Sequence, residues 1–551
     1  MWIFTLLGII SAISPIGQNV VECESCRLVI ESLKLYAMES KHWVTATELG
    51  IQICLMGGTY TEGVCAGAVR ENAPIAIDSL LQRLLDPEYL CKELEYCSGP
   101  TYQPENFTQW VSNVMAGKPS KPRPTPTGKS SYNFAHLSDI HVDLFYVEGT
   151  QVDCNMPVCC RNGTGDAGRW GGYNCDLPIR TFESSLQQLQ QMNPEFIIVT
   201  GDMPPHDIWN QSDSYNMGYQ TIVSNLFKKY FPTTPVYGIF GNHACFPVNQ
   251  YDFTPSAEDW LTFGFANDWG HWLSEDAKTS LITLGVYSML HPNTNLRLVA
   301  LNTQACNDQN FYLWVNSTDP GGQVQWLYKT LLAAEKNGEL VYLYGHYYLA
   351  DDGCLKYWSY HINALIDRFE NTIAGMFFGH SHSDSFHVNR GVYSHQPTGI
   401  QFVGPSITTY TYKNPSFRVY TADFDTKQVT DINQYRLNLP AANNNPDASP
   451  VFELAYTFKQ LYGVPDMSPQ TIYDLGLNIA NNETLALIYL NNHETGVNPP
   501  TSCDASCQHG LLCDLTYGVG DQVDICSGYQ PNLNDEINDW LFPPWVYKVG
   551  K

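Results

Sequence analysis

Asp139 with His141, Asp202, Asn242 with His243, His346, and His380 with His382 are polar clusters that each follow a short apolar run. Carboxylate oxygen, amide oxygen and imidazole nitrogen are donors that divalent cations accept. Two cations held roughly 3.5–4 Å apart, with one carboxylate bridging and a water or hydroxide between them, form a centre for phosphoester hydrolysis. In Asp139-x-His141, alternate side chains at a strand end point the same way and make a chelating pair. Asp202, after Gly201, has the short reach of a bridge, and Asn242 offers a neutral oxygen. His346, His380 and His382 complete a set of seven ligands. An alkoxide leaves poorly unless it is protonated, and an imidazolium is the natural donor in acidic solution. His243 and His206 are the candidates, His206 being aimed by Pro204 and Pro205; alternatively, His206 orients neighbouring groups.

The apolar runs before these clusters read as buried strands: Tyr132 to Leu137, Glu195 to Thr200, Pro235 to Phe240, Glu339 to Tyr344 and Ala374 to Phe378. In open α/β sheets ligands bind beyond the carboxyl ends of strands, where every cluster would project. Helical stretches such as Leu186 to Met192 and Val324 to Lys336 alternate with these runs, an α/β pattern from Tyr132 to about Phe424.

A length of 551 residues implies about two to four domains. A formal charge of -26 argues against a nucleic-acid partner, which needs clustered Lys and Arg. Trp2 to Ile13 is too short to span a bilayer and reads as a secretory signal, residues 1–17. Seventeen cysteines and sequons at Asn106, Asn162, Asn210, Asn316 and Asn482 support export, to a secreted or lysosomal destination.

Cys23, Cys26, Cys54, Cys65, Cys91 and Cys97 lie in a helical segment, residues 18–100, where Leu28, Val29, Leu33 and Tyr36 share one face and Ile77, Leu81, Leu84 and Leu85 another. Arithmetic alone does not pair these cysteines. Residues 101–131 hold a proline-rich linker that reads as a semi-rigid spacer. Residues 132–424 form the catalytic unit, and 425–551 a C-terminal region with helices around Val451 to Tyr462 and Leu475 to Asn491 and a second disulfide cluster.

The N-terminal cysteine spacing resembles a saposin-type domain, which implies the pairs Cys23–Cys97, Cys26–Cys91 and Cys54–Cys65 and a membrane-surface role; a stabilised mini-domain buried against its neighbour is the alternative. The order D-x-H, G-D, G-N-H, G-H, G-H-x-H resembles the calcineurin-like metallophosphoesterases. That implies a β-sandwich flanked by helices, with Asp139, His141, Asp202 and His382 on one ion and Asp202, Asn242, His346 and His380 on the other. The purple acid phosphatase branch is disfavoured, because Pro204, Pro205 and His206 stand where its tyrosine ligand would follow.

With Phe377-Phe378-Gly379-His380-Ser381-His382 and Pro405-Ser406-Ile407-Thr408-Thr409-Tyr410, nearly the whole chain resembles the acid sphingomyelinase family. The resemblance implies two zinc ions, hydrolysis of sphingomyelin to ceramide and phosphocholine at a membrane surface, and the pairs Cys154–Cys159, Cys160–Cys175, Cys306–Cys354, Cys503–Cys507 and Cys513–Cys526. Two departures stand out. Cys245 is left over, as an inert small side chain or an oxidisable switch, and Tyr347-Tyr348-Leu349-Ala350 replaces the family's usual Ile-Pro-Pro-Gly, its tyrosines either meeting a choline headgroup or packing the loop. A soluble phosphodiesterase acting on nucleotides or other choline phosphodiesters, and a non-catalytic lipid-binding protein, are the competing readings.

Overall fold

Ile197–Val199 is a run of β-branched side chains, all buried, the pattern of a strand covered on both faces. In the computed structural model, which describes residues 20–37, 40–87, 90–91, 96–97, 107–120, 122–316, 319–520 and 526, this run is the second of twelve strands, numbered in chain order. β1 (Ser131–Leu137), β2 (Ile197–Val199) and β3 (Val236–Gly238) pair in parallel. Beyond β1 the sheet continues antiparallel through β10 (Ser416–Asp423), β11 (Val429–Leu437) and β12 (Phe452–Thr457). The second sheet runs β4 (Tyr287–Leu290), β5 (Leu296–Ala300), β6 (Leu340–Tyr344), β7 (Ile373–Phe378), β9 (Pro397–Val403), β8 (Ser385–Arg390), parallel from β5 to β9. The expected signal segment and the sequon at Asn106 lie outside the described residues.

Aromatic side chains close the sandwich. Phe134 of β1 lies 5.2 Å from Tyr342 of β6 and 5.3 Å from Phe377 of β7, ring centre to ring centre, and Phe377 lies 5.1 Å from Tyr420 of β10. Each such pair adds about 0.5–1.5 kcal/mol beyond burial. Helices Ile179–Gln191 and Gln323–Asn337 contribute Phe182, Leu186 and Leu189, and Val324, Leu327 and Leu331, each set repeating at helical spacing on one buried face. The sheet crosses residue 424, since β11 and β12 extend it. The helical expectation from Val451 to Tyr462 is corrected: Phe452–Thr457 is an edge strand, and only Phe458–Tyr462 is helical. Helices Pro469–Asn481 and Ala505–Thr516 then pack on β8 and β9.

Among the described residues the N-terminal unit has three helices, Val20–Ala37, Ser40–Met56 and Glu62–Leu84, with the disulfides Cys23–Cys97, Cys26–Cys91 and Cys54–Cys65. Its small core is Ile30, Leu85, Cys91 and Cys97, with Leu33 and Leu81 partly buried against it. A core this small depends on its bridges, each worth about 2–4 kcal/mol. Leu28, Val29, Leu49 and Ile53 point outward, 69%, 53%, 61% and 62% exposed. The linker is less free than a spacer: Phe107–Met115 is a helix whose Phe107 and Trp110 rings pack on His361, and Arg123 donates to the carbonyls of Thr398 and Ile373, at 2.8 and 3.1 Å. The remaining bridges join Cys154 to Cys159, Cys160 to Cys175, Cys306 to Cys354, Cys503 to Cys507, and Cys513 to Cys526. Asn162, Asn210, Asn316 and Asn482 are exposed.

Candidate metal centre

The parallel strands deliver every proposed ligand to one edge of the sandwich: Asp139 and His141 after β1, Asp202 after β2, Asn242 in a short 3-10 turn after β3, His346 after β6, and His380 with His382 after β7. Five of these residues sit in left-handed backbone conformation: Asp139 (φ 51°), His141 (φ 39°), Asp202 (φ 57°), His380 (φ 75°) and His382 (φ 59°). Such conformations cost about 1–3 kcal/mol each for residues with a Cβ and persist only where the surroundings impose them. Close backbone approach is part of that imposition, because a Cβ on Gly241 would stand 2.1 Å from Asp202 Oδ1.

Three imidazoles are locked in the same way. His141 and His346 each direct Nδ1 at a backbone carbonyl, of Pro204 and Thr200, at 2.7 Å, and His382 directs its Nδ1 at the carbonyl of Tyr410 at 2.5 Å. A proton held there leaves Nε2 as the free lone pair, the arrangement metal-ligating histidines use. The Nε2 atoms converge on the carboxylates: His346 lies 3.0 Å from Asp202 Oδ2 and 2.8 Å from Asn242 Oδ1, His141 lies 3.5 Å from Asp202 Oδ2, and His382 lies 3.5 Å from Asp139 Oδ1. His380 Nδ1 stands 3.3 Å from His346 Nε2. All seven expected ligands are thus brought together.

The donors fit a pair of divalent cations on three counts. The buried Nε2 of His141 has no hydrogen-bond partner among the described residues. His346 Nε2 faces only oxygens and a second imidazole nitrogen, so positive charge belongs there; burial works against its imidazolium, yet Asp202 and Asp139 raise it to about 9. Asp202 itself, although burial opposes ionisation, is held well below the carboxylate range, chiefly by His346. Its Oδ2 is shared by His141 and His346, the place expected of a bridging carboxylate oxygen.

His206 and His243 flank this cluster. The His206 ring lies 3.9 Å from that of His141, 4.5 Å from that of His243 and 4.3 Å from that of Tyr410. Asp176, fully buried, receives the His206 backbone N–H on one oxygen and faces His206 Nδ1 with the other, at 2.6 and 2.7 Å. Burial pushes His206 and His243 each down to about 3 and Asp176 up to about 7, so both imidazoles rest neutral. Next to this pair, Arg161 clamps Asp143 with two nitrogens and Asp207 with a third. Asp176, Arg161 and the carbonyl partners carry no motif of their own and were not legible as site residues.

Cys245 is free and fully buried, and burial raises its thiol well above the usual range, which fits an inert small side chain. Tyr347 is buried against His380, and the half-buried Tyr348 stacks its ring on His387 at 4.5 Å, so each tyrosine packs on a histidine.

Residues 132–384 match the calcineurin-like phosphoesterase family, and 396–526 match the acid sphingomyelin phosphodiesterase C-terminal region. Sphingomyelin phosphodiesterase of Bos taurus is 33% identical over 95% of this chain and 86% of its own length. Sphingomyelin phosphodiesterase B of Dictyostelium discoideum is 31% identical over 95% of this chain and 84% of its own. The cyclic GMP-AMP phosphodiesterase SMPDL3A of Bos taurus is 29% identical over 71% of this chain and 90% of its own. An α/β sandwich with a carboxylate–imidazole cluster at its strand ends, a disulfide-bonded helical N-terminus, and relatives matched along most of their length together place this chain in the acid sphingomyelinase family, phosphodiesterases of the metallophosphoesterase fold whose membership implies a dimetal site.

Proposed function

We propose that the chain hydrolyses sphingomyelin to ceramide and phosphocholine at membrane surfaces, with two zinc ions held by Asp139, His141, Asp202 and His382 on one side and by Asp202, Asn242, His346 and His380 on the other. The observation that carries this reading is the gathering of seven buried or half-buried donors, Asp202 among them, at one set of strand ends, in a chain similar to sphingomyelin phosphodiesterases along most of its length. Bound cations lower the pKa of water from about 15.7 to about 7 and offset charge on the phosphoryl oxygens.

The chain's own groups do the rest. His206 or His243 protonates the departing alkoxide. Both are neutral at rest, and an arriving anionic phosphodiester favours their protonated form. Asp176 fixes the tautomer and direction of His206. The exposed Leu28, Val29, Leu49 and Ile53 supply apolar area for contact with lipid, so that a substrate embedded in a bilayer reaches the centre. Eight disulfides belong to an oxidising compartment, and a secreted or lysosomal site of action is consistent with them.

The test offers purified protein sphingomyelin liposomes, a soluble nucleotide phosphodiester and a phosphomonoester at acidic and neutral pH, before and after zinc chelation. Lipid cleavage lost on chelation and restored by zinc supports the proposal. Turnover of soluble diesters alone assigns the chain to the nucleotide-type activity named for one of its relatives, and lipid binding without turnover assigns it a non-catalytic role.

A further inference from the structure

His380 differs from the other three histidines of the centre. His141, His346 and His382 are each held at Nδ1 by a backbone carbonyl, whereas the only hydrogen-bond partner of the His380 ring among the described residues is His346 Nε2, at 3.3 Å. The outer torsion of an imidazole is broad, so a ring with so few partners can swing out of the plane that aims Nδ1 at His346. What holds this ring is Tyr347. The two rings lie 3.6 Å apart, centre to centre, with 26° between their planes, and Tyr347 is 2% exposed. Tyr347 is itself fixed: its backbone N–H and that of His346 both donate to Thr303 Oγ1, at 2.9 and 3.2 Å, and its side chain belongs to the core that contains Leu349 and the Cys306–Cys354 bridge.

We propose that Tyr347 is the positioning residue for His380, fixing by stacking the plane of a ring that no carbonyl holds, and that occupancy of the cation position shared by Asn242, His346 and His380 depends on this contact. The inference rests on the reading of His380 as a ligand. One residue then serves both halves of that position, since it follows His346 in sequence and covers His380 in space. The ring face is what matters, and the phenol oxygen is dispensable.

The test measures bound zinc per chain at fixed free zinc, and the rate of zinc loss to a chelator, in the full-length protein and in Tyr347→Phe, Tyr347→Leu and Tyr348→Leu. Tyr348→Leu removes the neighbouring stack, on His387, and controls for simple loosening of the segment. The expected result is full occupancy in wild type, Tyr347→Phe and Tyr348→Leu. In Tyr347→Leu one zinc should be kept, and the other should leave about 10–100-fold faster, the usual penalty for losing a group that orients a ligand. If Tyr347→Leu does not fold, Tyr347→Met is read by the same criterion. Equal zinc retention in Tyr347→Leu and wild type overturns the proposal, as does equal loss in Tyr347→Leu and Tyr348→Leu. A wild-type protein that takes up no zinc, manganese or iron defeats instead the metal-centre reading beneath it.

Discussion

Asp176 holds His206 at two points, the backbone N–H on Oδ2 at 2.6 Å and the ring Nδ1 on Oδ1 at 2.7 Å. Thirty residues separate them, and the contact presents the far side of the imidazole to the carboxylate–histidine cluster.

Asp176→Asn keeps the shape of the side chain but puts an amide group where His206 meets a carboxylate oxygen. The imidazole then loses its enforced tautomer, so kcat on a soluble phosphodiester should fall about 10²-fold or more, with KM and zinc content little changed. Steady-state kinetics and elemental analysis check this. A variant with wild-type kcat would show that Asp176 does not act through His206, and one stripped of zinc would assign it to the architecture of the centre.

Two glycines carry opposite predictions. Gly241→Ala would bring a methyl group to 2.1 Å from Asp202 Oδ1 and 2.9 Å from the His346 ring, neither of which can yield without leaving its place. Activity and bound metal should both be lost, and the melting temperature lowered. Gly218, on the exposed face of helix Asp213–Tyr230, has no heavy atom within 4 Å of the added Cβ. Gly218→Ala should stabilise the chain by about 0.5–1 kcal/mol through helix propensity and leave kcat untouched. Calorimetry and zinc analysis on the pair decide both.

The ligand clusters were legible because chemistry puts polar residues where apolar strands end, and β2 because its run of Ile and Val is short and β-branched. β8 was not, since His387 and Asn389 look like surface residues in sequence. They are buried because the C-terminal segment supplies their partners, the carbonyls of Asp514 and Gly518. β12 read as helix because Phe452 and Tyr456, its two buried residues, are four apart, a spacing that fits a helical turn as well as alternate positions on one strand face. The linker's docking was hidden for a related reason: a proline-rich stretch reads as free until Arg123 finds carbonyls of β7 and β9 far along the chain. Asp176 has no local signal, because its meaning lies in a partner that only the folded topology brings near.

Glu494 predicts an acid limb of stability. His493 Nδ1 at 2.8 Å and Lys413 Nζ at 2.6 Å hold its carboxyl down to about 2, against an ordinary 4.5. A carboxyl depressed in the folded state contributes in full above the unfolded value, and its contribution fades as pH falls from about 4.5 towards 2. The group is partly exposed, so the pair is worth about 1 kcal/mol after screening. Glu494→Gln should therefore melt below wild type at pH above 5, and the gap should narrow steadily on acidification. A gap independent of pH would mean that the glutamate contributes by shape alone.

Sixteen of the cysteines are paired and Cys245 is sealed in the main core, so the native protein should react with no aromatic disulfide reagent. Unfolding it in denaturant without reductant should expose a single reactive thiol, removed by Cys245→Ser or Cys245→Ala. The two variants should differ in stability. A serine hydroxyl at this fully buried site costs about 1–3 kcal/mol where it finds no acceptor, whereas alanine leaves only a small cavity. Zinc content and kcat should match wild type in Cys245→Ala, because a thiol held well above its usual pKa by burial is a poor metal ligand and a poor nucleophile. Rapid labelling of the native protein, or zinc lost from the alanine variant, would give the thiol a role in the centre that its burial denies it.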